Sequence, residues 1–403
     1  MRILLLDGNE NQAVAAVRSL SRAGHQVVVG SDERWSKAGL SRHANSSFRY
    51  PSPRTRPGEF VDAIAMHARR APGTWVLPMT EASTLPLSLG RDSIREAGAL
   101  LALPDHETLV RTFDKDETRR IAESLGVATP RSIVADTLAE ARAAAESIGL
   151  PVVLKATTSE QAGPGGASRA AGAPRYASSM TQLEESFAAL RDRSASILVQ
   201  EFIEGRGTGY YALMDRGELR AEFAHLRLRD VRPTGSGSAV RRSIAIEPEM
   251  RDASLGILVE LGWHGVAMVE YKRKPDGTLV FLEVNGRFWN SLALSIHAGV
   301  DFPALFATLV EGGRLPGPPP YRTDVRCRWL LGDARHLAAV MLGPPAGYPG
   351  TFPRRLKTFV EFLVPTAGMR HDNFELSDPL PGIGDWLHFF ARRIPAALLR
   401  RSS

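Results

Sequence analysis

The chain has 403 residues, of which 43% are hydrophobic and 23% charged, and it contains one cysteine. At roughly 100–200 residues per domain this length predicts two to four domains, so a stapled miniprotein, a fibrous protein and a wholly disordered chain are excluded. Lys and Arg total 50 against 44 Asp and Glu. The net charge of +6 favours an anionic partner such as a nucleotide, a phosphate or a membrane surface.

The single cysteine, Cys327, excludes an intramolecular disulfide, a cysteine zinc site and an iron–sulfur cluster. We therefore expect a reducing, cytoplasmic location. The first apolar run, residues 3–6, is shorter than the roughly 7–15 apolar residues of a signal peptide. No stretch approaches the roughly 18 apolar residues of a membrane span, and the histidines show no zinc-binding spacing.

The N-terminal region predicts a parallel sheet. Residues 3–6, a helical pattern that ends before Gly24, and residues 27–29 have the spacing of strand, helix and strand. Two further apolar runs, at 75–77 and 100–103, each stop at a proline. We expect a doubly wound α/β domain over residues 1–105.

The middle of the chain predicts two more units, over residues 106–195 and 196–315. Asp114 is placed to cap a helix, an alanine-rich helix follows at 136–149, and residues 152–155 form a strand. Residues 162–174 are Ala, Gly, Ser and Pro apart from Arg169, which predicts a mobile loop. Strands are expected at 197–203 and around 210–214, and a hairpin at 265–273 and 279–285.

This hairpin is the most informative feature of the sequence. Alternation places Glu270 and Lys272 on one face of its first strand, and Glu283 and Asn285 on one face of its second. If the loop holds an even number of residues, Glu270 lies opposite Glu283, whereas a three-residue loop would remove that pair. Facing carboxylates about 5 Å apart repel unless a cation lies between them, and with Asn285 they would suit Mg²⁺. A solvated face with incidental acids remains the alternative.

Lys155 ends an otherwise apolar strand just before the small-residue loop. A lysine followed by glycine-rich backbone is a way to contact phosphates, although the spacing is not that of a P-loop. The alternative is an edge lysine beside a flexible linker.

Residues 198–205 form an apolar strand that breaks into polar residues and a turn, where backbone groups could read the edge of a heterocycle. An ordinary strand end explains the same pattern. Arginines are dense nearby, and guanidinium groups suit carboxylate and phosphoryl oxygens, although a solvated loop is the rival reading. They are Arg227, Arg229, Arg232, Arg241 and Arg242, with Arg287 two residues beyond Asn285.

The order of these features resembles the ATP-grasp superfamily of carboxylate-amine ligases, which includes D-alanine:D-alanine ligase, biotin carboxylase and the carbamoyl phosphate synthetase large chain. The resemblance covers about residues 1–310 and is sharpest at 151–155, 199–205 and 282–289. Residues 225–235 and 262–270 are similar to a bacterial branch of ATP-dependent ligases. The resemblance to the ATP-grasp superfamily implies an α/β fold in which an N-terminal doubly wound domain precedes two α+β subdomains that sandwich ATP. Residues 316–403 would form a C-terminal extension.

The resemblance also implies roles for individual residues. Lys115 and Lys155 would contact the nucleotide phosphates, and Arg287 would stabilise the transferred phosphoryl group. The adenine hinge would comprise Gln200, Glu201, Phe202 and Ile203, with Glu204 or a more distant group serving the ribose because Thr208 is uncharged. Glu270, Glu283 and Asn285 would hold Mg²⁺, or Mn²⁺ in its place. Gly286 stands where relatives often have Pro or Thr, which should loosen the segment that carries Arg287.

The implied reaction joins a carboxylate to an amine through an acyl phosphate, with release of ADP and phosphate. A phosphotransferase or carboxylase of the same fold, and a silent nucleotide-binding scaffold, are the alternatives. Small-molecule acid and amine partners are expected, no nucleic acid, and a monomer or homodimer. The residues expected to contact the substrates are Asn9, Thr80, Glu81, Arg227, Arg229, Arg241 and Ser291.

The C-terminal region lies outside the resemblance. Apolar residues from Trp386 to Leu399, together with the arginines at 392, 393, 400 and 401, could form an interfacial segment at a membrane surface. Pro395 interrupts this pattern, and a terminal helix docked on the protein core is the other possibility.

Overall fold

The computed structural model describes residues 1–158, 160–162, 168–170, 172–192, 194–345, 347–364 and 366–391. The N-terminal part is a parallel sheet in the order β3-β2-β1-β4 with helices on both faces, as the doubly wound pattern predicts. The run at 100–103 adds only an isolated bridge between Trp75 and Leu100. The elements are β1 Arg2–Leu5, α1 Asn11–Arg22, β2 Gln26–Ser31, β3 Ser46–Arg49, α2 Pro57–Arg69, β4 Trp75–Leu77, α3 Glu81–Leu89 and α4 Arg91–Glu96.

The next part is an antiparallel sheet in the order β5-β10-β6-β9, with α7 and α8 packed against it. Asp114 caps α6 as predicted, since its side chain accepts hydrogen bonds from the backbone N–H groups of Asp116 and Glu117. The elements are α5 His106–Phe113, α6 Lys115–Ser124, β5 Ser132–Ala135, α7 Leu138–Ile148, β6 Val152–Ala156, β7 Glu160–Ala162, β8 Ser168–Ala170, β9 Arg175–Ala177, α8 Met180–Arg191 and β10 Ile197–Glu201.

The predicted loop at 162–174 is wrong at its flanks. Strands β7 and β8 pair antiparallel, with Glu160 opposite Ala170 and Ala162 opposite Ser168. They form a two-stranded hairpin of their own. The prediction for residues 163–167 and 171 lies outside the described residues.

A seven-stranded sheet in the order β15-β14-β11-β12-β13-β16-β17 carries the rest of the chain. All of its pairs are antiparallel except β16 with β17. The elements are β11 Arg206–Asp215, β12 Glu218–Arg232, β13 Ser236–Ser243, α9 Pro248–Glu260, β14 Gly265–Arg273, β15 Leu279–Asn285, α10 Leu292–Ala298, α11 Phe302–Val310, β16 Arg326–Arg328, α12 Leu330–Leu342, α13 Arg355–Leu363, β17 Arg370–His371 and α14 Leu380–Ala391.

The β14–β15 hairpin has the predicted bounds but a different loop. The backbone N–H of Lys274 donates to the carbonyl of Thr278, so three residues form the tip, and Tyr271 consequently pairs with Phe281. A β-bulge at Leu282 then inserts one extra residue into β15 and shifts the register by one. Glu270 therefore faces Glu283, as predicted, although the even-numbered loop on which that prediction depended is absent.

The C-terminal region is not a loosely patterned appendage, because it completes the large sheet and packs against the N-terminal domain. Strand β16 pairs with β13, and α12 packs on β12. Buried Arg18 donates to Asp378 at 2.8 Å, and Lys37 lies 2.8 Å from Asp385 on α14. Residues 380–391 are therefore a docked helix, while the predicted interfacial residues at 392–403 lie outside the described residues.

Among the described residues, no single helix has the length and apolar character needed to cross a membrane. One pair bent by 91°, Leu292–Ala298 with Phe302–Val310, passes that test by length and composition alone.

Candidate functional site

Each facing carboxylate of the hairpin is held by a cation from another element. The Lys115 ammonium lies 3.2 Å from Oε2 of Glu283, and Nη1 of Arg227 on β12 lies 2.9 Å from Oε1 of Glu270. The two carboxylate side chains are 26% and 13% exposed, which excludes the solvated outer face. Burial raises the pKa of Glu283, but the ammonium groups of Lys115 and Lys155 outweigh it, so that the pKa is lowered and the group is ionised at neutral pH.

Lys155 lies on β6, a strand paired on both sides by β10 and β9, so it is not an edge lysine. Burial, and then repulsion from Lys115, lowers the pKa of Lys155 to about 8. Burial also lowers the pKa of Lys115, but the Glu283 carboxylate outweighs this and raises it. The site therefore holds two lysines that differ in how readily they lose a proton.

Arg287 is fixed at the end of β15 by three contacts. It donates to Oδ1 of Asn285 at 3.0 Å and to the carbonyl of Phe288 at 3.0 Å, and its Nε lies 3.9 Å from Oε1 of Glu81. Asn285 in turn donates to Glu283 at 3.3 Å. The N-terminal domain thus reaches the hairpin through Glu81, whose pKa is raised by burial.

The expectation that Gly286 loosens this segment is wrong. A Cβ atom at Gly286 would lie 2.2 Å from Cη2 of Trp263, which is fully buried. The missing side chain leaves room for the indole ring, so that the backbone before Arg287 is packed rather than loose.

Asn9 and Thr80 serve the N-terminal domain. Asp7 accepts hydrogen bonds from the hydroxyls of Thr80 and Ser83, and Thr80 caps α3. Oδ1 of Asn9 accepts a hydrogen bond from the backbone of Lys37 at 3.1 Å. The contacts of Thr80 fix the start of α3, and with it Glu81, while Asn9 holds the segment at Lys37.

The hinge residues use their side chains locally. Gln200 donates to the Ser132 hydroxyl at 2.9 Å, and Glu201 lies 3.3 Å from Arg131. Lys272, which the alternation places on the face of Glu270, donates to the carbonyl of Ile203 at 2.7 Å. The backbone N–H of Glu201 also donates to the carbonyl of Arg131 at 2.8 Å, so Gln200 and Glu201 make protein contacts through both side chain and backbone.

A cleft of 660 Å³ begins beside the hinge, where Phe202 and Glu204 line it. Its outer wall comes from the C-terminal region: Tyr348 packs against Phe202, and the Thr351 hydroxyl donates to Glu204 at 2.7 Å. This wall was not predicted from the sequence, because residues 348–361 carry no recognisable motif. Glu204 is placed at the cleft as expected, although Thr351 already occupies one of its oxygens.

Two of the predicted arginines are committed elsewhere. Arg229 pairs with Asp333 at 2.8 Å, and fully buried Arg241 pairs with Asp372. Both carboxylates belong to the C-terminal region, so these arginines hold that region in place. Ser291 lies 2.8 Å from Nε2 of buried His225 and is likewise in a protein contact.

The hairpin face has the donors that Mg²⁺ prefers, because Glu270, Glu283 and Asn285 offer only oxygen atoms on one face of the sheet. The surrounding lysines and arginines are placed to neutralise phosphate oxygens. In the part of the chain that the structure describes, no group of three or more His, Cys, Asp and Glu residues could hold a metal, which leaves no zinc-type cluster.

Two family models match the chain. Residues 193–332 match "ATP-grasp in the biosynthetic pathway with Ter operon", and residues 114–218 match "Carbamoyl-phosphate synthase L chain, ATP binding domain". The carbamoyl phosphate synthase large chain of Deinococcus radiodurans is 31% identical over 259 residues, or 60% of this chain and 24% of the relative. That of Deinococcus deserti is 30% identical over 211 residues, 50% of this chain and 19% of the relative. The chain thus matches about a quarter or less of these relatives.

Solved structures share the fold at low identity. The biotin carboxylase domain of Hydrogenobacter thermophilus 2-oxoglutarate carboxylase, in complex with MgADP, ADP and bicarbonate, has a TM-score of 0.62 at 18% identity, covering 80% of this chain and 73% of that one. N5-carboxyaminoimidazole synthetase from Staphylococcus aureus has a TM-score of 0.61 at 14% identity, covering 79% of each chain.

Proposed function

Since this chain belongs to the ATP-grasp superfamily, we propose that it is an ATP-dependent ligase that joins a carboxylate to an amine. The observation that carries the proposal is the convergence of cations on the facing carboxylates of the hairpin. Lys115 contacts Glu283, Arg227 contacts Glu270, and Arg287 contacts Asn285. An arrangement of this kind positions a triphosphate and balances its charge without any protein nucleophile.

In the proposed reaction, an oxygen of the substrate carboxylate forms a bond to the γ-phosphorus of ATP while the bond to the β–γ bridging oxygen breaks, which gives an acyl phosphate and ADP. The amine nitrogen then bonds to the acyl carbon, phosphate leaves, and the amine loses a proton. Lys115 and Lys155 would hold phosphate oxygens, and Arg287 would stabilise the transferred group.

Glu270, Glu283 and Asn285 would hold Mg²⁺, which when bound supplies positive charge against the phosphate oxygens. The low exposure of Glu270 and Asn285 would help to keep water from the acyl phosphate. The hinge backbone and Glu204 would bind the adenine and ribose beside the 660 Å³ cleft. We further propose a cytoplasmic monomer or homodimer.

The test uses the full chain with ATP, Mg²⁺ and a panel of small carboxylic acids, with hydroxylamine in place of the unknown amine because it traps acyl phosphates as hydroxamates. A ligase of this type gives ADP and hydroxamate only when an acid is present. Transfer of phosphate to a stable phosphorylated product without free phosphate would instead indicate a phosphotransferase. A strict requirement for bicarbonate would indicate a carboxylase.

A panel in which no acid increases ADP formation, with protein that binds ATP, would contradict the proposal and leave the silent scaffold.

A further inference from the structure

A second cleft, of 640 Å³, lies between the N-terminal domain and the β7–β8 hairpin. Four helices, α2, α3, α4 and α5, form its walls, and most of its lining is apolar. Its apolar lining includes Val61, Leu85, Leu89 and Val110. Its volume falls in the range of roughly 300–1,000 Å³ that small-molecule sites occupy.

Helix α3 connects this cleft to the candidate site. Glu81, which lies 3.9 Å from Arg287, is followed four residues later by Leu85, which lines the cleft. Residues four apart on a helix are neighbours on one face, about 5–6 Å from each other. Burial raises the pKa of Glu81, and the carboxylate of Glu160, which also lines the cleft, is near enough to raise it further.

An ion pair and hydrogen bonds hold the wall opposite α3, formed by β7 and β8, against the N-terminal domain. Arg54 of the N-terminal domain lies 2.5 Å from Glu160 on β7, and the backbone N–H of Ser168 on β8 donates to the carbonyl of Arg54 at 2.6 Å. The Ser168 hydroxyl also donates to Glu160 at 3.2 Å. The polar groups at this end are therefore satisfied by one another. The rest of the lining is mostly apolar, with Asp62, Ser93 and His106 as its further polar side chains.

We infer that the acid substrate carries an aromatic or branched aliphatic group that lies in this cleft while its carboxylate lies at Arg287. An apolar group gains by leaving water for such a mostly apolar lining, whereas a second carboxylate would lose hydration there and would also face the Asp62 carboxylate. The inference rests on the proposed function, because that function places the carboxylate of the acid at Arg287. It names the substrate class as an apolar carboxylic acid, with or without an α-amino group.

The test measures binding to the full chain by isothermal titration calorimetry with hydrocinnamate, L-phenylalanine and succinate. We expect hydrocinnamate or L-phenylalanine to bind and succinate to bind at least about tenfold more weakly. The difference between hydrocinnamate and L-phenylalanine shows whether the α-amino group is recognised. Equal binding of all three, or no binding of either apolar acid, would overturn the inference.

Two variants place a charge on the cleft wall at exposed positions that should not disturb folding. They are Leu89→Glu on α3, where the side chain is 71% exposed, and Val110→Glu on α5, where it is 46% exposed. Each should weaken binding of the apolar acid about fivefold or more. Leu342→Glu, at an 87% exposed leucine in the C-terminal region, is the matched control and should leave binding unchanged.

Equal effects in Leu342→Glu and in both cleft variants would count against the cleft. The binding assay does not require turnover, so failure of the proposed function can be distinguished from failure of the inference about the substrate. If hydrocinnamate binds and the cleft variants weaken it, but no hydroxamate forms, the proposed function fails and the cleft stands. If succinate yields hydroxamate and neither apolar acid binds, the ligase stands and the inference about its substrate fails.

Discussion

Lys115, the first residue of α6, lies 3.2 Å from Glu283, the fifth residue of β15, and so joins the second helix after the N-terminal domain to the carboxylate hairpin. The Lys115 ammonium favours the ionised form of Glu283. Glu270, on the neighbouring strand, is held by a different cation, Arg227. Each of the two facing acids therefore has its own cation. In the proposed function, a bound nucleotide would contact these cations, and its metal would contact the two carboxylates.

Glu283→Gln keeps the size of the side chain and removes its charge. We expect ATP-dependent ADP formation to fall about 100-fold or more, because the charge balance of the phosphate site would be lost. Circular dichroism should show an unchanged fold. Glu260→Gln, at an exposed acid on α9, is the matched control and should keep full activity. Unchanged turnover in Glu283→Gln would remove the metal assignment.

The rate should depend on pH through Lys155, whose pKa is about 8. The ammonium is charged below that pH and loses its proton above it, so kcat/KM for ATP should be level below pH 8 and fall toward tenfold per pH unit above it. Lys155→Arg keeps its charge at all these pH values and should remove the fall. The profile is measured at constant free Mg²⁺, and an identical fall in Lys155→Arg would assign it to another group.

Gly286→Ala should reduce both stability and activity, because its Cβ would meet the ring of Trp263. Overpacking of a buried site costs about 1–3 kcal/mol, which a urea titration would measure. The shift of the backbone before Arg287 should lower kcat as well. Gly58→Ala on α2, where nothing lies within 4 Å of the added Cβ, is the control for a substitution without a clash, and it should leave stability unchanged or raise it by up to about 1 kcal/mol. An unaltered urea midpoint in Gly286→Ala would show that the ring moves aside freely.

Adjacent arginines on β13 allow a matched pair of stability measurements. Arg241 and its partner Asp372 are fully buried, whereas Arg242 pairs with Asp324, which is 73% exposed. Asp372→Asn should destabilise the protein by about 3 kcal/mol or more, because a buried guanidinium loses its counter-ion. Asp324→Asn should cost at most about 1 kcal/mol. Equal losses in the two variants would contradict the structural role given to Arg241.

The sequence predicted the site best where its members are close along the chain or share a strand. The hairpin bounds and the facing of Glu270 and Glu283 are confirmed, because the bulge at Leu282 restores the pairing that the three-residue loop would otherwise have removed. The loop that was expected to produce that facing is wrong, since nothing in the residues around Leu282 marks an inserted position.

Long-range ion pairs account for what the sequence could not show. Arg229 and Arg241 were expected at the substrate, but their partners lie 104 and 131 residues further along the chain. An arginine-rich strand looks the same whether its charges meet a ligand or a distant carboxylate. The outer wall of the hinge cleft was missed for the same reason, because Thr351 meets Glu204 from 147 residues away.

The ion pairs between the N-terminal domain and the C-terminal region also affect when the N-terminal domain can finish folding during synthesis. Arg18 and Lys37 meet their buried partners Asp378 and Asp385 across 360 and 348 residues. At roughly 5–20 residues per second, the ribosome delivers those partners on the order of tens of seconds after the first domain has emerged. Until then both cations lack the acids that make their burial tolerable. The N-terminal domain therefore completes its packing only after Asp378 and Asp385 have been synthesised.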